Sequence, residues 1–390
     1  MKFAHMSDCH IGGWHESTIR DINLKSFKAA VEKCVEEHVG FVLIAGDLFD
    51  TALPSIDILK ETALLLNRLK EYDIPVYIIP GSHDFSASGK TMLDVLENAG
   101  LVNNVMKLDS GRLKFTIDRT NTKITGFYGR KGALEAHEYE YLEKEHLESE
   151  DGFKIFMFHS LLDELKNNSF EFVEGLSISL LPKNFSYYAG GHPHFTYNKQ
   201  IEGYGLFAYP GPIFPNNFQE LEDLKHGGMY IVDVDRNNIK LNHFKLSVAD
   251  VDSYFINAGN KTPKEIEQEI LLIKDFKDKI ITIRIEGCLK SGKTSDIDFN
   301  LIKEKLSGAI CILRNTNKLA TKDFEDTKAS SCSTPEIEDS IISEHSKDSL
   351  YKPDLVKELI KLLDKERLEG ERISDFESRI IKDISSFFKT

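Results

Sequence analysis

Cysteine is scarce and unpaired. The chain has five cysteines in 390 residues, none in a Cys-x-x-Cys spacing. They read as reduced thiols rather than a disulfide framework. No apolar run is long enough to cross a bilayer. The start, Met1-Lys2-Phe3-Ala4-His5, passes straight into a strand pattern and lacks the anatomy of a signal peptide. A cytoplasmic protein without a membrane partner is expected. Excess positive charge is also missing: 49 Lys and Arg against 63 Asp and Glu leave a formal net charge of −14. That argues against coating nucleic acid by bulk charge. It leaves room for an enzyme that meets nucleic acid through a local basic groove or a bound cation. No internal repeat is present. What remains is ordinary for a folded protein, 41% hydrophobic and 29% charged, with length for two or three domains.

The chain is organised around Phe41-Val42-Leu43-Ile44-Ala45-Gly46-Asp47-Leu48-Phe49-Asp50. A continuous apolar run bounded by glycine reads as a strand buried on both faces. Asp47 then stands at the carboxyl end, where open α/β sheets bind ligands. Phe3–Ser7 is an earlier strand and Pro75–Pro80 a later one. Helices fit 17–38, with Leu24, Phe27, Val31, Cys34 and Val35 on one stripe, and 55–70, with Ile58, Leu59, Thr62, Leu65, Leu66 and Leu69 inward. Helix and strand alternate, so an α/β layered core is predicted. Shorter β-like segments fill 101–130, and the acidic stretch 134–150 reads as a solvated helical face. Further strand-like runs, Ile155–Phe158, Ser186–Ala189, Phe207–Pro212 and Met229–Val234, close a first domain near residue 248.

Strand, helix, strand, helix and strand at 253–257, 263–274, 279–286, 298–306 and 309–313 predict a small α+β domain. Residues 319–346 read as a linker. Two amphipathic helices are expected in 347–390, one with Leu355, Val356, Leu359, Leu362 and Leu363, the other with Ile373, Phe376, Ile380, Ile384, Phe387 and Phe388. Such a pair needs a surface to dock on.

The chemistry lies in Asp8-x-His10, Gly46-Asp47, Gly81-Ser82-His83-Asp84, His159 and Gly191-His192-x-His194. Each follows an apolar run. Taken singly, a strand-end histidine is more often a hydrogen-bonded core residue, and Asp8 or Asp47 could cap a helix. Five such groups in one context point instead to a metal site. Mixed carboxylate and imidazole donors suit manganese, iron(II) or zinc better than magnesium or calcium. A shared aspartate can bridge two ions and organise in-line attack on phosphorus.

This order of motifs resembles the calcineurin-like metallophosphoesterases over residues 1–235. The phrases Ser7–Gly12, Ala45–Asp50 and Pro80–Asp84 resemble most closely the SbcD-type nuclease subunit of the double-strand-break repair complex. The resemblance implies a layered core of β-sheets flanked by helices (1–248), a small capping domain (249–318), a linker (319–346) and a helical segment (347–390) that binds an SMC-like ATPase. It implies two divalent ions, Mn2+ foremost. Asp8, His10, Asp47 and His194 would hold one, and Asp47, Ser82, His159 and His192 the other. His83 would serve the scissile phosphate, with Asp50 and Asp84 orienting histidines behind the ligands. A homodimer through 55–70 and 91–99 and DNA as substrate are also implied. The alternatives are a small-nucleotide phosphoesterase and a catalytically weakened scaffold. Three positions depart from the pattern. Serine stands at 82 for asparagine, aspartate at 50 where some members have a second histidine, and Tyr209-Pro210-Gly211-Pro212 replaces Tyr-x-Gly-Ser.

Gly287-Cys288-Leu289-Lys290-Ser291-Gly292-Lys293-Thr294 fits the spacing of a P-loop. The segment around it is too small for the sheet and acidic strand end that nucleotide binding needs. A loop whose Lys290 and Lys293 touch a phosphate backbone is the stronger expectation.

Overall fold

The structure is a computed structural model that describes residues 1–85, 91–130, 135–166, 173, 175–236, 238–321, 379, 380 and 382. The linker expected at 319–346 and the helix pair expected in 347–390 lie almost wholly outside the described residues.

The first half opens β1 (Lys2–Met6), α1 (Ser17–Glu36), β2 (Val42–Ala45), α2 (Ile56–Glu71), β3 (Val76–Ile79), α3 (Met92–Asn98) and β4 (Asn103–Asn104). The short strands β5 (Leu108–Asp109) and β6 (Arg112–Leu113) form a hairpin. Then come β7 (Thr116–Ile117), β8 (Lys123–Gly126), α4 (Ala136–Glu140), α5 (Glu145–Glu148), β9 (Lys154–His159) and β10 (Tyr187–Gly191). The core ends with β11 (Thr196–Gln200), β12 (Leu206–Pro210), α6 (Phe218–Leu224), β13 (Gly227–Asp235) and β14 (Asn238–Leu246).

Two six-stranded sheets result, in the orders β14-β13-β1-β2-β3-β4 and β11-β12-β10-β9-β8-β7. Strands β1, β2, β3 and β4 run parallel, as do β8, β9, β10 and β12. The central strands β2 (Val-Leu-Ile-Ala) and β3 (Val-Tyr-Ile-Ile) are apolar throughout and buried at every position, as strands covered on both faces must be. The period of two sorts the side chains. Phe3, Leu43 and Ala45 pack with Ile155, Met157, Tyr187 and Ala189 between the sheets. Ala4, Met6, Val42 and Ile44 turn the other way, against Phe27, Val31 and Cys34 of α1 and Leu66 and Leu69 of α2. Phe156, Phe158 and Tyr188 face outward from the second sheet, onto Tyr139 and Leu147. The expected α/β layering is therefore what forms. The acidic stretch at 134–150 is not simply a solvated face, because Tyr139 and Leu147 are fully buried anchors. The four described cysteines are free thiols.

His5 sits wholly buried between the sheets, with Nδ1 2.8 Å from the Tyr187 hydroxyl. Burial pushes its imidazole down to about 3, against weaker raising effects of the Gly190 backbone and the Asp8 charge. The folded state therefore binds fewer protons than the unfolded chain below pH 6.5. Stability attributable to His5 is complete above that pH and is lost as pH falls toward 3. The slope is about 1.4 kcal/mol per pH unit. Urea unfolding at stepped pH should show His5→Gln with a shallower decline than the parent between pH 6 and 4.5, on the order of that slope. Parallel declines would refute the assignment.

The next elements are β15 (Asp250–Asn257), α7 (Pro263–Leu271), β16 (Lys279–Leu289), α8 (Phe299–Lys305), β17 (Cys311–Asn315) and β18 (Leu319–Thr321). Strands β15, β16 and β17 pair in parallel, with a helix at each crossing. The strand-helix alternation expected here is present, and the pairing refines the α+β expectation to a parallel βαβαβ arrangement.

The chain divides into two compact units. One holds Met1–Asn257, Glu265–Glu286 and Asp298–Lys318; the other holds Ala258–Lys264, Gly287–Ile297 and the described residues from Leu319 on. In the second unit Gly287–Leu289 extend β16 and pair with Leu319–Thr321. Directly after Lys293 comes a three-residue 3-10 turn, Thr294–Asp296, and α8 starts only at Phe299. The Lys293 N–H, which a P-loop would offer to phosphate, is taken by the Asp296 carboxylate at 2.7 Å. The loop thus lacks the helix entry that nucleotide binding requires.

Candidate metal centre

Asp8, Asp47, Ser82 and His83 follow the carboxyl ends of β1, β2 and β3; His159 ends β9, and His192 and His194 follow β10. The backbone at Asp8, His10, Asp47, His192 and His194 is left-handed, with φ of +50°, +41°, +51°, +97° and +44°. For residues other than glycine this costs about 1 kcal/mol or more each. The sum is comparable with the net stability of a whole domain, about 5–15 kcal/mol, so these turns persist only because they are locked from outside. Asp8 N–H donates to the Gly46 carbonyl at 3.1 Å, His10 N–H to the Asp47 carbonyl at 3.0 Å, and Ile11 N–H to the Leu48 carbonyl at 3.0 Å. The buried Asn23 amide donates to the Cys9 carbonyl at 2.9 Å. Glycine is needed at 46, where φ is +89° and a Cβ would lie 2.2 Å from His159 Nδ1.

These turns bring the side chains together. His10 Nε2 and His194 Nε2 lie 3.0 Å apart. Asp8 Oδ1 is 3.6 Å from His194 Nε2 and 3.9 Å from His159 Nε2. Asp47 Oδ2 is 3.1 Å from His159 Nε2 and 3.7 Å from His10 Nε2, so one carboxylate oxygen faces both imidazoles. Ser82 Oγ donates to Asp47 Oδ2 at 3.3 Å, and His83 N–H donates to Asp47 Oδ1 at 2.7 Å. His192 contributes its main-chain N–H to the Asp8 carboxylate, at 3.0 and 3.1 Å, while its ring lies edge-on to His159 at 5.3 Å.

Among the described residues, three sets of donor atoms are close enough to share an ion: Asp8, His10 and His194; Asp8, Asp47 and His159; and His10, Asp50 and His83. The ring of His192 belongs to none of these sets. The third set joins His83 and Asp50 directly to His10; the resemblance implied that Asp50 orients histidines, and that His83 serves the phosphate rather than an ion. His83 is also far more open than its neighbour, 33% exposed where His10 is 2% exposed. Its Nδ1 lies 2.7 Å from the Asp50 carbonyl. Asp50 Oδ1 lies 3.2 Å from His10 Nδ1. Asp84 was expected to orient a histidine, and its carboxylate instead accepts from the main-chain N–H groups of Leu48, Phe49 and Gly81. It ties two of the strand-end loops together.

Two residues behind the centre escaped the sequence reading. Glu220 Oε1 is 2.9 Å from His194 Nδ1, and Asn216 Nδ2 donates to Asp50 Oδ1 at 3.4 Å. The spacing Asn217-x-x-Glu220 marks a helix start, but nothing local says that Glu220 meets His194. A main-chain group does the same for His159, whose Nδ1 meets the Ala45 carbonyl at 2.8 Å. Each contact aims the opposite nitrogen, Nε2, at the carboxylates.

Burial alone would raise the Asp47 carboxyl, but the charge and hydrogen bond of His159 and the charge of His10 hold it well below the usual carboxylate range. Conversely, burial depresses His159 and His194, and nearby carboxylates overcome it, pushing them up to about 10 and about 9. His192 goes the other way, down to about 4, through burial and the neighbouring His159. Burial and the Asp47 charge push Asp84 up to about 6. Protons on imidazoles thus supply the positive charge that the carboxylates demand. Two Nε2 atoms facing each other at 3.0 Å beside carboxylate oxygens are satisfied equally by a shared cation. The donor set fits divalent metal.

Parallel strands from two facing sheets that deliver carboxylates and imidazoles to one buried rim define an α/β protein with a carboxylate–imidazole metal centre. A family model described as calcineurin-like phosphoesterase matches residues 1–195, half of the 390-residue chain. The chain belongs to this calcineurin-like phosphoesterase family. It is similar to three archaeal proteins called DNA double-strand break repair protein Mre11. The one from Archaeoglobus fulgidus is 26% identical, over 72% of this chain and 66% of that protein. The one from Methanococcus maripaludis is 30% identical, over 58% and 61%. The third, from Sulfolobus acidocaldarius, is 26% identical, over 74% and 75%. The first two matches span just under two thirds of the relatives' length. Among the described residues, no helix is long and apolar enough to cross a membrane.

Proposed function

We propose that this protein is a dinuclear, manganese-dependent DNA phosphodiesterase of double-strand-break repair, acting in the cytoplasm with an SMC-like ATPase. The observation that carries the reading is the meeting of Asp8, His10, Asp47, His159 and His194 on one rim, in a chain similar to proteins named for that repair. Asp8, His10, Asp47 and His194 would hold one ion; Asp47, Ser82, His159 and His192 the other. When bound, the ions supply Lewis acidity and charge neutralisation at a phosphate.

The chain's own groups do the rest. The carbonyls and carboxylates behind His159, His194 and His10 hold these imidazoles with Nε2 forward. Asp50 holds the ring of His83 through Nδ1. That leaves Nε2 of His83 to hold or pass a proton at the leaving oxygen. Asp84 keeps the Asp47 and Ser82 loops in register. The core would be 1–248 and the capping domain 249–318, with 319–346 as linker and 347–390 as the ATPase-binding segment. Exposed Ile56, Leu64 and Val95 on α2 and α3 support a homodimer through 55–70 and 91–99.

The test is hydrolysis of single- and double-stranded DNA by the purified protein with Mn2+ and with chelator. Manganese-dependent cleavage is expected. Turnover of a small phosphodiester without DNA cleavage would favour the small-nucleotide reading, and no turnover of either with the ATPase present would favour the scaffold. The Ser82→Asn variant extends the test. A carboxamide oxygen reaches farther and ligates better than a neutral hydroxyl. Titration with Mn2+ should show its weaker ion bound about tenfold more tightly. Unchanged affinity would remove residue 82 from the ligand set.

A further inference from the structure

The two halves of the centre are steadied by different parts of the fold. His159 is backed by the Ala45 carbonyl of β2, inside the core. His10 and His194 are backed by residues 216–220. Glu220 Oε1 meets His194 Nδ1 at 2.9 Å, and Asn216 Nδ2 reaches the Asp50 carboxylate that lies beside His10. Glu220 is also part of the start of α6. Its Oε2 accepts from Asn216 N–H at 2.7 Å, and its own N–H donates to the Asn217 side chain at 2.9 Å. The carboxylate that orients His194 is therefore in place only while α6 is.

Helix α6 has only seven residues, too few to be stable alone. Leu221 is buried with Ile19 and Ile22 of α1 and with Val251 and Ile280 of the third sheet. Its other tie is Arg284 on β16. The Arg284 Nε donates to Glu222 at 2.9 and 3.1 Å, and one terminal nitrogen donates to Gln219 at 2.7 Å. The guanidinium carbon lies 5.2 Å from the Phe218 ring centroid. Glu286 is a further partner at 3.4 Å. The Arg284–Glu222 pair is only 13–16% exposed, so it is screened far less than a surface ion pair. The same two turns of helix grip Arg284 with Gln219 and Glu222 and present Glu220 to His194.

We propose that Glu220 and Arg284 are positioning residues for the His10–His194 half of the metal centre: Arg284 holds α6 to the third sheet, and α6 carries the carboxylate that orients His194. The ion in this half depends on where the third sheet holds α6, and the ion beside His159 does not. The inference rests on the dinuclear reading above and deepens it.

The test uses the full chain and Mn2+ alone, followed by calorimetry and by the spin-resonance signal of bound against free ion. The parent should bind two ions. Glu220→Gln should weaken one of them about 10–100-fold and leave the other unchanged. Arg284→Gln should weaken the same ion by about tenfold, with Arg284→Lys and Glu222→Gln as milder variants should Arg284→Gln fail to fold. Combining Glu222→Arg with Arg284→Glu should restore that ion, which general loosening of the fold would not do. Equal weakening of both ions, or no weakening by Glu220→Gln, would overturn the proposal. Weakening by Glu220→Gln without any by the Arg284 variants would remove the anchor. A parent that binds no Mn2+ would overturn the dinuclear reading itself, and this inference with it.

Discussion

Asp47→Ala should reduce hydrolysis by at least about 10³-fold and leave the protein unable to retain either ion. Losing several kcal/mol of charge stabilisation at a phosphate corresponds to a factor of this size. Asp47 Oδ2 faces both His159 and His10, at 3.1 and 3.7 Å. Its Oδ1 also accepts the His83 N–H at 2.7 Å. Removing the side chain deletes a carboxylate oxygen that faces an imidazole of each half and frees the loop that carries His83. Metal content after gel filtration and turnover of DNA with Mn2+ would be measured together. Two tightly held ions in Asp47→Ala would sink the shared-ligand assignment, even if activity were lost. Asp47→Asn separates charge from shape. It fills the same space, so it should fold like the parent and still lose both ions.

His83→Ala should slow turnover by about 10²–10⁴-fold, the usual contribution of a positioned proton donor, while both ions stay bound. The two measurements pull apart the roles left open at this residue. His83 groups with His10 and Asp50 as a possible donor set, yet its ring is a third exposed and is steadied through Nδ1 by a main-chain carbonyl. An imidazole of that kind suits a phosphate that arrives from solvent. If His83→Ala releases an ion, the residue is a ligand and its catalytic role is wrong. If turnover falls while KM and metal content hold, the side chain acts only in the reacting complex.

Much of this protein could be read from local chemistry. Apolar runs ending in Gly-Asp, Gly-Ser-His-Asp and Gly-Gly-His-x-His mark strands buried on both faces and put polar groups at their carboxyl ends. That pattern depends only on neighbours in sequence, so the α/β layers and the candidate site residues were visible without coordinates. The stripe of α1 was legible for the same reason, with Phe27, Val31 and Cys34 buried as its spacing required. The acidic stretch at 134–150 misled because charge density hid Tyr139 and Leu147, two anchors whose burial depends on the outer face of the second sheet.

What local pattern could not decide was which groups stand behind the centre. Glu220 reaches His194 across 26 residues of chain, Asn216 reaches Asp50 across 166, and the Ala45 carbonyl meets His159 across 114. Such contacts are set by how two sheets and a short helix pack, and no spacing rule spans that distance. Asp84 makes the same point in reverse. The family resemblance implied a partner for histidine, and the fold instead gave Asp84 three main-chain N–H groups to satisfy. The kinds of donor and their strand-end positions follow from the sequence. Their orientation, and the unequal support of the two halves, follow from tertiary packing, because buried polar groups must find partners wherever the folded chain brings them.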